Sequence, residues 1–547
     1  TDNVITDIRL TNQNHTLTVT ATDANGNTAT TQLVANVDVG KPDAMSLSSA
    51  NVNNRAGTVD INWTEPGDDF DQGTVTSYSL RHSSASIDAN NFGNATIINA
   101  EMTPAGAGQN LLVSVTGLPF DQQVFFAGQA TDDLGNTSDI GTLSIDFSLT
   151  LSAYAASGVT GNTNKFAQRA CSGDFNNDGR SDLVVTDRSF APAGSQVGGA
   201  IIFMGADDLS NITPITRFGT ASGGRFGSDC TAADFNGDGF DDLVVSAPRD
   251  GDGKIFIYNG SGAGLAANPS ITITGTAGDR FGYSLSAGGS LVGDATVDLA
   301  ASSWRHNSST GKTWVWDGDI LTQNRSDADA AVTVTGRPFS STGTSLNAGR
   351  DVTGDGNGDL IIGGEEANGN VGELVVVPGP IADGAYTYQS AGVILLAGAG
   401  GSEGKTGFYL AVGDVAGDGT ADILAGNGCC TRAISIWEGG PALGGARDHV
   451  ITAPGGSSSF NEIDESSLCD IDGDGKMDLL TGSTNEGYVY FGNGITTLAK
   501  TYGVGTGLDA NTSGAVHGVC LPDANLDGKP DLAFPVRSGG GYVNIRH

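Results

Sequence analysis

Residues 234–247 read DFNGDGFDDLVVSA. Oxygen-bearing side chains stand at Asp234, Asn236 and Asp238, glycine follows at Gly239, and a further carboxylate stands at Asp242. A hard cation such as Ca²⁺ takes six to eight oxygens in a flexible cage. Side chains at loop positions 1, 3 and 5 converge on one point if the chain then turns sharply. Gly239, lacking a Cβ, permits that turn. The backbone carbonyl of Phe240 adds a ligand at position 7, and Asp242 closes the cage at position 9. The apolar run that follows reads as a buried strand.

The pattern recurs. Copies begin at Asp174, Asp234, Ser290, Asp351, Asp414, Asp470 and Asp523, spaced 53 to 63 residues apart. A period of this size marks a repeat architecture. Four copies have oxygen at positions 1, 3, 5 and 9. They are Asp174, Asn176, Asp178 and Asp182; Asp234, Asn236, Asp238 and Asp242; Asp470, Asp472, Asp474 and Asp478; and Asp523, Asn525, Asp527 and Asp531. Their position-7 carbonyls belong to Arg180, Phe240, Lys476 and Lys529. The fourth copy has neutral Thr353 beside Asp351, Asp355 and Asp359, with Asn357 at position 7. The fifth offers Asp414, Asp418 and Asp422 with Thr420 at position 7, but Ala416 at position 3 leaves that ligand to water. The third has Ser290 and Val292 at positions 1 and 3, so its Ser290–Asp298 loop is expected to hold no ion. The expectation is thus Ca²⁺ at four strong sites and two weaker ones. The competing role of such residues is to cap the backbone as Asx turns. Several carboxylates in one tight loop repel one another unless a cation sits among them. Mg²⁺ suits the loops less, because it demands near-octahedral geometry. An EF-hand fits poorly, since the closing acid comes at position 9 and strands flank the loop. The ions are expected to be structural.

The rest of the composition agrees with a β-rich chain. The 547 residues include 83 glycines and 4 methionines, with 38% hydrophobic residues. That suits many tight turns in an all-β build. Acidic residues number 62 against 26 basic, a net charge of −36. Nucleic acid and anionic membrane surfaces are poor partners for such a chain. No apolar stretch is long enough to span a bilayer, and no N-terminal signal pattern is present, so membrane insertion is not expected. The chain opens at Thr1 within a strand-rich segment, which reads as a processed or truncated piece of a longer protein.

Residues 1–40 alternate polar and apolar around the hairpin turn DANGN. They resemble the last two strands of a bacterial immunoglobulin-like repeat. GKPDA near Lys41 reads as a linker. Residues 41–147 place Trp63 on an early strand, Tyr78 on the next, Leu118 before a turn, and Phe125 and Phe126 on a later strand. This order resembles a fibronectin type III domain, in which those aromatics pack the sandwich core.

From 148 to 547 each repeat reads as four short strands, for example RFGSDCTAADF, DDLVVSAP, KIFIYNG and SITITG. Four strands per repeat make a propeller blade, and seven repeats make seven blades. The last repeat ends one strand short, and SLTLSAYAAS before the first repeat supplies a spare. Closure with that strand removes exposed sheet edges. Phe226-Gly227 and Phe281-Gly282, with Ser246-Ala247-Pro248 after the acidic loop, carry the FG and GAP elements. This part therefore resembles the FG-GAP repeat propeller of integrin α-subunit heads and bacterial surface proteins. The first repeat departs with Phe166-Ala167, the fifth with Gly407-Phe408, and most repeats lack the terminal proline. The resemblance implies Ca²⁺ loops on the face away from the usual ligand surface.

Other chemistry is sparse. His15, His82, His306, His449, His517 and His547 show no two-histidine metal spacing, and no nucleophile elbow, phosphate loop or zinc spacing is present. Glu365-Glu366, and Glu462 with Glu465, are the acids that a carboxylate-pair enzyme would use. Cys429 and Cys430 are adjacent; Cys171 and Cys230 precede acidic loops in neighbouring repeats, as do Cys469 and Cys520. Six cysteines allow fifteen pairings, and 171–230 with 469–520 are possible if neighbouring inner strands lie close. Trp304, Trp314 and Trp316 cluster in the third repeat, suited to packing or to stacking on a sugar or peptide.

The sequence thus reads as an extracellular or cell-surface microbial recognition protein, not an enzyme, with a calcium-stabilised head on a sandwich stalk. Its expected partner is a protein or glycan at a cell surface or matrix. Two alternatives stand beside it. One is a self-assembling subunit of a surface fibre or sheath; the other is a propeller-associated polysaccharide-active enzyme.

Overall fold

Strand-forming residues recur throughout the computed structural model. It describes residues 13–37, 40–54, 56–68, 73–98, 102–149, 151–155, 166–191, 194–209, 212–276, 279–294, 296–398, 404–428, 432–454, 460, 462–483, 486–503, 518–536 and 542–546. The chain divides into two units, Thr1–Leu149 and Thr150–His547.

In the first unit, Gln13–Thr22 pairs antiparallel with Thr28–Val37, with Leu17 opposite Leu33. The turn is fixed by Asp23, whose Oδ1 accepts the N–H groups of Asn25 and Asn27 at 2.8 and 2.9 Å. Val19 and Leu33 on this hairpin are exposed. Two further sheets follow. One orders Ser46–Asn53, Thr58–Thr64 and Asn110–Val115; the other orders Thr96–Ile97, Ser77–Ser83, Gln123–Thr131 and Gly141–Asp146. Alternation along Thr58–Thr64 buries Val59, Ile61 and Trp63 against Leu80, Val124 and Phe126 of the other sheet. Trp63 meets Tyr78 edge to face at 5.4 Å. Phe126, not Phe125, is the core aromatic.

In the second unit, seven four-stranded antiparallel arrangements follow, one per acidic loop; two of them gain a short parallel fifth strand. They are numbered here sheets 1 to 7 in loop order. Sheet 1 is Phe166–Gly173, Asp182–Asp187, Gly199–Phe203 and Ile215–Phe218. Sheet 7 takes Val519–Leu521, Asp531–Val536 and Tyr542–Arg546 from the end of the chain. Its fourth strand is Leu151–Ala155, paired antiparallel to Tyr542–Arg546 with Leu151 opposite Arg546. Each second strand follows an acidic loop and is buried along its whole length, as in Asp242–Ala247. That is why these strands read as continuous apolar runs rather than alternating ones.

The cores lie between consecutive sheets. Phe226 packs against Phe256 and Tyr258 at 5.7 and 6.3 Å, within a cluster joining sheets 1 and 2. Phe281 meets Trp314 and Trp316 at 5.3 and 5.7 Å, so those two tryptophans are core residues, 2% and 0% exposed. A corresponding cluster joins sheet 7 to sheet 1. The glycine of the Phe-Gly pair is needed for its backbone: Gly227 has φ +79°, and a Cβ there would stand 2.5 Å from the Gly199 carbonyl oxygen. Ala167 takes the same left-handed conformation in sheet 1, at φ +55°.

Two disulfides, Cys171–Cys230 and Cys469–Cys520, staple sheet 1 to sheet 2 and sheet 6 to sheet 7. Both are pairings that the sequence offered. Cys429 and Cys430 lie outside the described residues.

Candidate metal centres

Every acidic loop connects the first and second strands of its sheet, so all seven lie at one end of the sheets. Within each, carboxylates hold the backbone. Asp234 Oδ1 accepts the Asp238 N–H at 3.1 Å and its Oδ2 accepts the Gly239 N–H at 2.8 Å. Asp174, Asp351, Asp414, Asp470 and Asp523 repeat this pair of bonds. Asn176, Asn236, Asp472 and Asn525 at position 3 also accept the position-5 N–H. Asp178, Asp238, Asp355, Asp418, Asp474 and Asp527 accept the N–H of Arg180, Phe240, Asn357, Thr420, Lys476 and Lys529 in turn. The side chains thus form Asx turns that aim their oxygens into one loop.

Position 9 is different in kind. Asp182, Asp242, Asp298, Asp359, Asp422, Asp478 and Asp531 are all buried, at 0–1% exposure. In the first six loops these carboxylates tie the loop to the backbone beyond the third strand. Asp359 Oδ2 accepts the Val352 and Thr353 N–H groups at 2.8 and 3.0 Å, while its Oδ1 accepts that of Gly379 at 2.9 Å. Asp298 does the same with Leu291, Val292 and Gly318 at 2.6, 3.0 and 3.2 Å. The position-9 acid is therefore a structural bracket even in the third loop, whose first and third positions lack carboxylates.

Electrostatic crowding follows. Burial, reinforced by the carboxylates of Asp174 and Asp178, pushes Asp182 up to about 7. Burial, with Asp238 and Asp234, does the same to Asp242, and burial with Asp472 and Asp470 to Asp478, both to about 7. Oxygens of Asp470, Asp472 and Asp478 lie within 4.8 Å of one another. This is a donor set that a hard cation would relieve. In the fifth loop, Lys476 from the neighbouring loop donates its Nζ to the Ala416 carbonyl at 2.8 Å. A cation of the protein's own therefore stands beside the position that lacks a ligand. In the third loop, Asp294 comes within the same range of Asp317 and Asp319. Those carboxylates are occupied locally: Asp294 accepts from Thr296, and Asp317 caps the turn at Asp319.

The loops are also joined to each other. The position-8 N–H of one loop donates to the position-1 carbonyl of the loop before it. This holds for Asp241 to Asp174, Ala421 to Asp351 and Met477 to Asp414, at 3.1, 3.0 and 2.8 Å. Ser181 donates likewise to Asp523 at 2.7 Å, which links the last loop back to the first.

A second polar cluster, which the sequence did not show, lies where the first strands face one another. Arg169 Nε stands 3.4 Å from Asp229 Oδ1, and its guanidinium lies 5.4 Å from the Tyr409 ring. Glu465 accepts the hydroxyls of Thr231 and Ser286 at 2.7 and 2.9 Å, joining sheets 2, 3 and 6. Burial pushes Glu465 up to about 7 and Asp229 up to about 6, the latter despite Arg169. Glu365 is held by Lys405 at 3.1 Å. Glu465 and Glu365, two of the four acids considered for catalysis, thus have structural partners. His306 Nδ1 meets Asp279 at 2.5 Å and His449 Nε2 meets Glu438 at 2.9 Å, while His517 and His547 fall outside the described residues.

Comparison with known proteins agrees with the repeats. Residues 226–258 match the FG-GAP repeat and residues 470–534 the FG-GAP-like repeat. Over 135 residues, 24% of the chain, it is 40% identical to integrin alpha-7 of Mus musculus. Over 146 residues, 26% of the chain, it is 37% identical to integrin alpha-7 of Homo sapiens. The chain spans 11% and 12% of the length of these relatives. Among solved structures, Sqt1 from Chaetomium thermophilum is similar at a TM-score of 0.38 and 12% identity, over 78% of this chain and 92% of that one. That likeness is too distant to build on.

Proposed function

We propose that this protein is an extracellular recognition module. Residues 148–547 form a seven-bladed propeller head of the FG-GAP type, stabilised by Ca²⁺ in its acidic loops. Residues 1–40 and 41–147 are immunoglobulin-like and fibronectin type III-like modules that carry it. The head binds a protein or glycan at a cell surface or in a matrix, and it does so without catalysis. The observation that carries this reading is the similarity to integrin alpha chains, together with FG-GAP repeats whose acidic loops gather oxygens at one end of every sheet. The disulfides Cys171–Cys230 and Cys469–Cys520 support an oxidising compartment.

The strong ligand sets are those opening at Asp174, Asp234, Asp470 and Asp523; those at Asp351 and Asp414 are weaker. Ions there would rigidify the hydrogen-bonded chain of loops and leave the opposite rim as the binding face. Two measurements test the reading. Calorimetric titration should show Ca²⁺ binding, and excess chelator should lower the melting temperature; an unchanged melt would remove calcium from the account. A glycan and matrix-protein array should then give a calcium-dependent hit, and silence with and without calcium would remove the recognition role.

A further inference from the structure

The rim opposite the acidic loops carries an unusual set of charges for so acidic a chain. Arg188, Arg249 and Arg305 follow the second strands of sheets 1, 2 and 3, and Arg225 and Arg280 precede the first strands of sheets 2 and 3. In antiparallel sheets both connections lie at the end away from the loop between strands one and two. The Arg249 N–H donates to the Gly224 carbonyl at 3.0 Å, which sets Arg249 beside Arg225. The His306–Asp279 contact sets Arg305 beside Arg280. The guanidiniums of Arg280 and Arg305 lie 5.8 and 5.1 Å from the Trp304 ring, and Tyr283 meets that ring at 5.8 Å. Arg188, Arg169, Tyr283, Phe408 and Tyr409 line an adjoining hollow of about 100 Å³.

Four of these guanidiniums are left without acids. Among the described residues, no carboxylate pairs with Arg225, Arg249, Arg280 or Arg305. Two acids of the same turns are engaged elsewhere, Asp250 by Lys254 at 2.9 Å and Asp279 by His306. Further round the same rim the pattern reverses: Arg337 pairs with Glu373 at 3.0 Å, and Lys405 with Glu365 at 3.1 Å. Glu366 stands where sheets 2 and 3 place Arg249 and Arg305. Burial, then the guanidiniums of Arg188 and Arg249, hold Arg225 below the usual arginine range, and burial with Arg305, Arg249 and Arg225 does the same to Arg280. The chain therefore concentrates unneutralised positive charge at one place, against mutual repulsion.

We propose that this rim binds an acidic polysaccharide, a sugar chain bearing carboxylate or sulfate groups. The planar guanidinium fork matches either oxyanion in two-point contact, and stacking on Trp304 pre-orients two of the forks. The arginines recur at the spacing of the repeat itself, one or two per sheet over three consecutive sheets. A polymer with evenly spaced charges satisfies such an array better than one acidic peptide side chain. The aromatic rings between them suit the apolar faces of sugars. The net charge of −36 does not prevent this, because its field is screened within about 8 Å at physiological salt.

This inference rests on the recognition reading, and the test separates the two. The full chain, at constant calcium, is presented with dextran sulfate, hyaluronate, neutral dextran and poly-glutamate. Dextran sulfate or hyaluronate should bind, salt should weaken the binding, and dextran should not bind. Arg225→Ala/Arg249→Ala and Arg280→Ala/Arg305→Ala should each weaken it by about tenfold or more with an unchanged melt. If either variant misfolds, the wild-type protein decides. The bound polymer should protect these four arginines from phenylglyoxal, mapped by mass spectrometry. No binding of either acidic glycan, wild-type affinity in folded variants, or no protection overturns the inference. Poly-glutamate bound as tightly as the glycans also overturns it, in favour of an acidic polypeptide. A different array ligand that binds the alanine variants as well as wild type overturns the arginine assignment and leaves the recognition reading standing.

Discussion

Glu465 shows what one residue does when three sheets meet on it. Its two oxygens take hydroxyls from Thr231 and Ser286, and the Ser286 hydroxyl in turn accepts the Ala348 N–H at 3.0 Å. Burial raises its pKa from the ordinary 4.5 to about 7. The sign follows from proton binding. An acid whose folded pKa lies above its unfolded value holds its proton more tightly when folded. Its contribution is fully present below pH 4.5 and is lost as pH rises to about 7. With calcium saturating, Glu465→Gln should therefore flatten the fall in melting temperature across that window. Parallel pH profiles for variant and wild type would show that Glu465 is ionised without cost.

At the scale of the element, the acidic loop has two layers that mutation can separate. The inner layer is the position-9 bracket, and the outer layer is the open set at positions 1, 3 and 5. Asp298 belongs to a loop with only the inner layer. Asp298→Ala would strand the Leu291, Val292 and Gly318 N–H groups in a buried place, costing roughly 3 kcal/mol whether calcium is present or chelated. Asp472 belongs to the outer layer of a strong loop. Asp472→Ala should cost stability only in calcium and remove one ion from the titration. Denaturant melts of both variants, with calcium and with chelator, check this; equal calcium dependence in the two would erase the distinction.

For the molecule as a whole, the strand Leu151–Ala155 decides whether the row of sheets ends in an open edge. It pairs with Tyr542–Arg546, nearly four hundred residues away in the chain. Successive N–H groups of a strand point to opposite sides, so two adjacent prolines must remove a ladder bond. Ser152→Pro/Ala153→Pro in the full chain should destabilise the Thr150–His547 unit by about 3 kcal/mol and broaden its unfolding. An unaltered calorimetric transition would show that this strand closes nothing.

Much of this was legible in the sequence. The loops announce themselves because their chemistry is local: Asp234, Asn236, Asp238 and Gly239 shape one turn within six residues. The buried second strands follow as apolar runs, since period and hydrophobicity are also local properties. Even the strand at 151–155 could be proposed as a partner for the last repeat, because the repeat count left one place open. The sequence also limited the cysteines to a few sensible pairings. What it could not supply is which distant groups meet. Trp314 and Trp316 entered the core while Trp304 stayed at the rim, a choice made by Phe281 from the sheet's own opening turn. Glu465 found Thr231 and Ser286 across more than two hundred and nearly one hundred and eighty residues respectively. The arginines of sheets 1 to 3 came within reach of one another only when corresponding turns of successive repeats were brought side by side. Local patterns fix turns and strands, because neighbouring residues alone satisfy them. Burial, pKa and the company a charge keeps depend on residues remote in sequence, so only the tertiary structure decides them.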